Sequence, residues 1–142
     1  MRCAVPYSAL QAARLAGCTR AQLAYWERTG LVVPDDAGYT RRHLVALRVV
    51  AALLAAGLSL HRVRAAVTHL LESADEIDGL RLVTDGDRVW ACRDDAAVLD
   101  ALGRGHLAVH LAVGAFAREV DAAVRAFDAE RTQFVARLCA TA

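Results

Sequence analysis

The sequence predicts a mainly α-helical protein built in two parts, on three observations. Hydrophobic residues make up 56% of its 142 positions and aromatics only 6%, and alanine, the strongest helix former, supplies much of that apolar share. Ser, Thr and Gly punctuate the first half at the spacing of helix caps and stops. The last third carries apolar residues mostly at steps of three or four for about four heptads, with one polar gap at Glu130-Arg131. A chain of this length fits one domain or two small ones. It can bury roughly two thirds of its unfolded surface, so folding requires neither disulfide nor metal.

Ser8 is placed to cap a first helix with apolar positions Leu10, Ala13 and Leu15, and Gly17 to close it. Thr19 caps a second helix over Arg20–Arg28, where Gln22 completes a capping box and Gly30 ends the run. Only Gly17 and Cys18 separate the first helix from the second cap, and two helices joined so tightly form a helix-turn-helix. Leu31-Val32-Val33 is extended, and Pro34-Asp35-Asp36 with Gly38-Tyr39 folds the chain into a small wing. Thr40 caps a third helix, Arg41–Ala56, whose buried stripe is Leu44, Leu47, Val50, Leu53 and Leu54. Gly57 stops it, and Ser59 caps a fourth helix reaching Leu71 with Leu60, Val63, Val67 and Leu70 inward.

The acidic, polar run Glu72-Ser73-Ala74-Asp75-Glu76 marks a boundary. It divides the chain into a winged helix-turn-helix at 1–71, a linker at 72–79 and a second region at 80–142. That region opens with a β-hairpin, Leu80–Val83 and Arg88–Cys92 around an Asp85-Gly86 turn. Asp94 or Asp95 caps a short helix through Leu102, broken by Gly103 and Gly105. A long helix, His106–Leu138, then carries Val109, Val113, Phe116, Val120, Val124, Phe127, Phe134 and Leu138. A helix of about 30 residues spans roughly 45 Å, longer than a small domain is wide. Its stripe needs a partner, and a second copy of the same helix is the most economical one. These eight residues are therefore the expected dimerisation set, with folding back on the hairpin as the alternative. Gly114 weakens the helix by about 1 kcal/mol, which packing must offset.

The net charge of +1 conceals an asymmetry. Residues 1–71 hold nine arginines against three acids, and residues 72–142 eight arginines against thirteen acids. A basic half joined to an acidic half points to an anionic partner for the first, or to two ordinary solvated surfaces. The longest uncharged stretches, Val49–His61 and Gly105–Ala117, hold 13 residues each, short of the roughly 20 that cross a bilayer. Gln11 and Arg14 interrupt any apolar signal segment. Cys3, Cys18, Cys92 and Cys139 form no CxxC pair, so a reduced cytoplasmic protein without a zinc site is expected. His106 and His110 lie four apart, a spacing compatible with a metal, but packed or exposed histidines explain them and no cofactor is assigned. Glycine-rich phosphate loops, a glycine-flanked serine and His-Glu-x-x-His are all missing, so no enzyme is expected.

The strongest chemical signal lies in the helix-turn-helix. In such a motif the second helix enters the major groove with its first residues at base edges, while flanking groups hold phosphates. Thr19, Arg20 and Gln22 stand at that end, Arg20 suited to guanine and Gln22 to adenine. Arg14, Arg28, Arg41 and Arg42 are expected to surround them with phosphate contacts.

The run from Thr19 to Pro34, with Leu23, Tyr25, Trp26, Glu27, Gly30, Leu31 and Pro34, resembles the MerR family of bacterial transcriptional regulators. Gly38-Tyr39 in the wing and Gly57-Leu58-Ser59-Leu60 extend the likeness over residues 5–71. The resemblance implies a winged helix-turn-helix that binds double-stranded operator DNA as a homodimer joined by an antiparallel coiled coil. Many members distort promoter DNA so that RNA polymerase can use it. By position, Tyr25 would contact a phosphate, Trp26 would pack in the core, and Tyr39 and Arg41 would belong to the wing. Three departures stand out. Ala24 replaces the family's arginine, Asp35-Asp36 replace basic wing residues, and a hairpin region precedes the long helix. The first two motivate an alternative, a protein-interaction module that keeps the winged fold, has lost DNA and docks a polymerase or sigma subunit.

Overall fold

In the computed structural model, residues 6–72, 81–84, 89–92 and 109–140 are described. The described elements are α1 (Ala9–Ala16), α2 (Arg20–Arg28), α3 (Arg41–Ala55), α4 (Leu60–Glu72), β1 (Arg81–Thr84), β2 (Val89–Cys92), β3 (Val109–Ala112) and α5 (Val113–Ala140). The architecture is mainly helical, as the sequence indicates. The short helix expected over 94–102, the hairpin turn and His106 lie outside the described residues.

Helix α3 is the centre. His43 through Leu47, Val49, Val50 and Leu53 are all buried, wider than the five-residue stripe read from the sequence, because α1, α4 and α5 all pack on it. Each fully buried leucine here contributes about 2 kcal/mol of transfer free energy. Helix α1 buries Ala12, Ala13, Leu15 and Ala16, whereas Leu10, another of its apolar positions, is 61% exposed. Helix α4 turns Val63, Ala66, Val67 and Leu70 inward. Gly17 closes α1 in the left-handed region at φ 73°, its N–H bonded to Ala13 O, the conformation that glycine adopts without strain.

The wing is a two-residue turn. Asp35 and Gly38 exchange backbone hydrogen bonds at 3.1 and 2.9 Å, leaving Asp36 and Ala37 exposed at the tip. Tyr7, just before α1, pairs with Tyr39 through reciprocal backbone bonds of 2.7 and 2.9 Å. The chain entering the domain is thereby tied to the wing's return strand.

In the second region β1 and β2 pair antiparallel as the hairpin reading expects, with Val83 opposite Trp90. The long helix, however, starts at Val113 rather than His106, because Val109–Ala112 forms a strand on the other side of β1. A short apolar run satisfies strand and helix patterns alike, and β1 offers an edge of unpaired backbone groups that the strand completes. The sheet order is β2-β1-β3. Val109 is therefore not on the helix, and the helical-face spacing of His106 and His110 does not hold, since His110 lies on β3. The central strand buries both Leu82 and Val83. Leu82 joins Val113, Ala117 and Val120 of α5 in one hydrophobic core with the first four helices.

Candidate nucleic-acid interface

Helix α2 is held by its caps and by two anchors. Thr19 Oγ1 accepts the Gln22 N–H at 3.1 Å, and Gln22 Oε1 accepts the Thr19 N–H at 3.0 Å. Leu23 and Trp26 are buried, 2% and 4% exposed. At the far end the Thr29 hydroxyl donates to Tyr25 O at 2.9 Å, and Arg64 Nη2 to Thr29 O at 2.8 Å. With Leu23 and Trp26 inward, helical periodicity turns Arg20, Ala21, Ala24, Tyr25 and Arg28 to solvent, and all five are exposed. The Arg28 guanidinium lies 5.8 Å over the Tyr25 ring, which holds both side chains on that face.

The sequence-expected site residues separate into two groups. Thr19, Arg20, Gln22, Tyr25 and Arg28 come together on α2 and its cap. Arg14 and Arg41 turn instead to α5: Arg14 pairs with Glu130 and lies 5.9 Å over the Phe127 ring. Arg41 grips Asp121, and Arg42 is half-buried at the start of α3. Tyr39, expected as a wing contact, is only 2% exposed. Its hydroxyl donates to Glu27 Oε2 at 3.4 Å, so its ring belongs to the core between wing and α2. Burial, reinforced by the Glu27 carboxylate, pushes the Tyr39 hydroxyl up to about 12.

Sequence reasoning missed His43. The Thr40 N–H donates to His43 Nδ1 at 2.9 Å, and the Thr40 hydroxyl lies 3.0 Å from the same nitrogen. The imidazole thus fills the capping-box position usually held by Glu or Gln, and Thr-x-x-His was the available signal. Its ring also meets Tyr39 edge-on at 6.0 Å. Burial lowers its pKa, with Asp35 opposing and Arg42 adding to the effect. The path Glu27–Tyr39–His43–Thr40 connects the exposed helix, the wing and the central helix.

Residues 7–70 match the model of the MerR HTH family regulatory protein. This segment is a MerR-type helix-turn-helix domain. The wider chain is similar to proteins described as uncharacterized HTH-type transcriptional regulators of Mycobacterium bovis and Mycobacterium tuberculosis. Each is 35% identical over 137 residues, covering 89% of this chain and 61% of the relative. The likeness therefore runs past the MerR-type domain into the sheet and α5, and the chain spans about three fifths of the length of these relatives. Among the described residues, no helix is long and apolar enough to cross a membrane.

Proposed function

We propose that this chain is a non-catalytic, cytoplasmic transcriptional regulator that binds pseudo-palindromic promoter DNA as a homodimer, with α2 in the major groove. The observation that carries the reading is the exposed face of α2 within a MerR-type domain. Arg20 and Arg28 supply positive charge there, and the Tyr25 hydroxyl supplies a phosphate contact. RNA polymerase is the further partner that such a regulator would engage on a promoter.

The homodimer is supported by the far end of α5. Phe134, Val135 and Leu138 are 61%, 52% and 55% exposed, beside an open groove between α1 and α5 lined by Gln11, Arg14 and Phe127. Val113 and Val120 are buried in their own chain, and Phe116, Val124 and Phe127 are partly covered there. The seam between two copies is thus proposed for Phe127, Phe134 and Leu138 rather than the full eight-residue set.

Fluorescence anisotropy with labelled promoter duplexes tests the reading. Arg20→Ala and Tyr25→Ala should each weaken specific binding by about 1–3 kcal/mol, and unchanged affinity in both would remove α2 from the interface. A second reading, a protein-docking module, is favoured by the exposed Asp35 and Asp36 on the wing, which oppose a phosphate backbone. Recovery of a stoichiometric polymerase or sigma subunit, with no DNA retained at low salt, would select it.

A further inference from the structure

Resting on that DNA-reading role, we infer that α2 meets its site with hydrogen-bond donors and selects guanine through Arg20, and that Gln22 serves as a donor to a neighbouring keto oxygen rather than as a reader of adenine. The major-groove edge of adenine presents the N7 acceptor beside the N6 amino donor. A glutamine reads the pair by extending its amide so that both halves lie edge to edge with the base. In this chain the acceptor half is folded back onto the helix cap: Gln22 Oε1 takes the Thr19 N–H at 3.0 Å while Thr19 Oγ1 takes the Gln22 N–H at 3.1 Å. Because the partner is an N–H, the amide orientation is fixed with its oxygen on the cap. The NH2 group is the half of the amide left wholly free for a ligand, while Oε1 keeps one lone pair but stays anchored on the cap.

The surroundings have the same polarity. Arg20 is exposed and carries donors alone. The N–H groups of Arg20 and Ala21, the first two of the helix, have no acceptor within it. Ala21 and Ala24 add methyl groups and no acceptor. The carboxylate of α2, Glu27, sits at the opposite end and takes the Tyr39 hydroxyl. Guanine, with O6 and N7 both acceptors, satisfies such a surface; adenine and cytosine set an amino donor against it.

The test starts with the full chain selecting duplexes from a random pool, followed by anisotropy on the enriched duplex with single base analogues. Replacing the selected guanine by 7-deazaguanine, which lacks N7, or by 2-aminopurine, which lacks O6, should weaken binding roughly 10-fold or more. Inosine keeps both acceptors and should bind as guanine does. Arg20→Ala should erase the difference between guanine and its analogues. Gln22→Glu keeps an oxygen for the cap and replaces the NH2 by an acceptor. It should retain the wild-type unfolding midpoint while losing about 10-fold on the selected duplex beyond its loss on a shuffled one. Enriched sequences without a fixed guanine, indifference to the analogues, or unchanged binding by Gln22→Glu would overturn this inference and leave the DNA role standing. Enrichment of no duplex at all would overturn both.

Discussion

Arg41 and Asp121, eighty residues apart, form a two-pronged ion pair: Nε meets Oδ1 at 2.8 Å and Nη2 meets Oδ2 at 3.1 Å. Arg48 with Glu119 at 3.4 Å, and Arg14 with Glu130, repeat the relationship along α5. Part of the basic surplus of the first half is thereby met by acids of the second. The Arg41 and Asp121 side chains are 39% and 40% exposed, so solvent screens the pair and its two-pronged geometry raises it only to about 1 kcal/mol. A double-mutant cycle of Arg41→Ala and Asp121→Ala, read by thermal unfolding, should return a coupling of that size that shrinks as salt is raised.

His43 makes the MerR-type domain sensitive to acid. Its folded pKa lies below the ordinary 6.5 because burial disfavours the charged ring. Between those two values the unfolded chain binds more proton than the folded one, so stability falls as pH drops through that window and is level above 6.5. Protonation also turns Nδ1 from acceptor to donor and breaks the cap on Thr40. Unfolding midpoints measured from pH 8 to pH 5 should decline below about 6.5, and His43→Gln, which keeps an acceptor, should flatten the decline.

Two glycines outside the helices should respond differently to alanine. Gly38 holds φ 130°, and an added Cβ would lie 2.6 Å from Tyr7 O, a backbone atom that cannot swing away. Gly57, at φ 93°, has open space around it. Gly57→Ala should cost about 1 kcal/mol from left-handed strain alone. Gly38→Ala should cost visibly more by thermal unfolding, because the Tyr7–Tyr39 pairing must also open.

The two ends of α5 should separate folding from association. Val120 is fully buried, so Val120→Ala should lower stability by about 1–2 kcal/mol at any protein concentration. Phe134→Glu and Leu138→Glu alter exposed positions. They should convert a dimer to a monomer by light scattering, with little change in the unfolding of the monomer.

The helix-turn-helix was readable because its signals are local. Ser8, Thr19 and Gly17 act within one turn of the helices they bound, and the Leu23/Trp26 spacing fixes which face of α2 is buried. What escaped the sequence depends on distant partners. Val109–Ala112 became a strand because β1 supplied its hydrogen bonds. Arg14 and Arg41 read locally as phosphate ligands, and only the fold shows Glu130 and Asp121 of α5 beside them. The Tyr39 phenol reads as a wing group because nothing local shows that the carboxylate of Glu27, twelve residues back, is its partner. Gln22 is legible in the sequence both as a cap and as a base reader, and the cap is the use that the geometry displays.

The most direct measurement is anisotropy of the full chain with labelled duplex from upstream of its own gene, beside a shuffled duplex, across a salt series. DNA reading through α2 predicts tighter binding to the native sequence, with affinity falling as salt displaces the phosphate contacts. Equal weak binding to both duplexes, or no binding even at low salt, would contradict it.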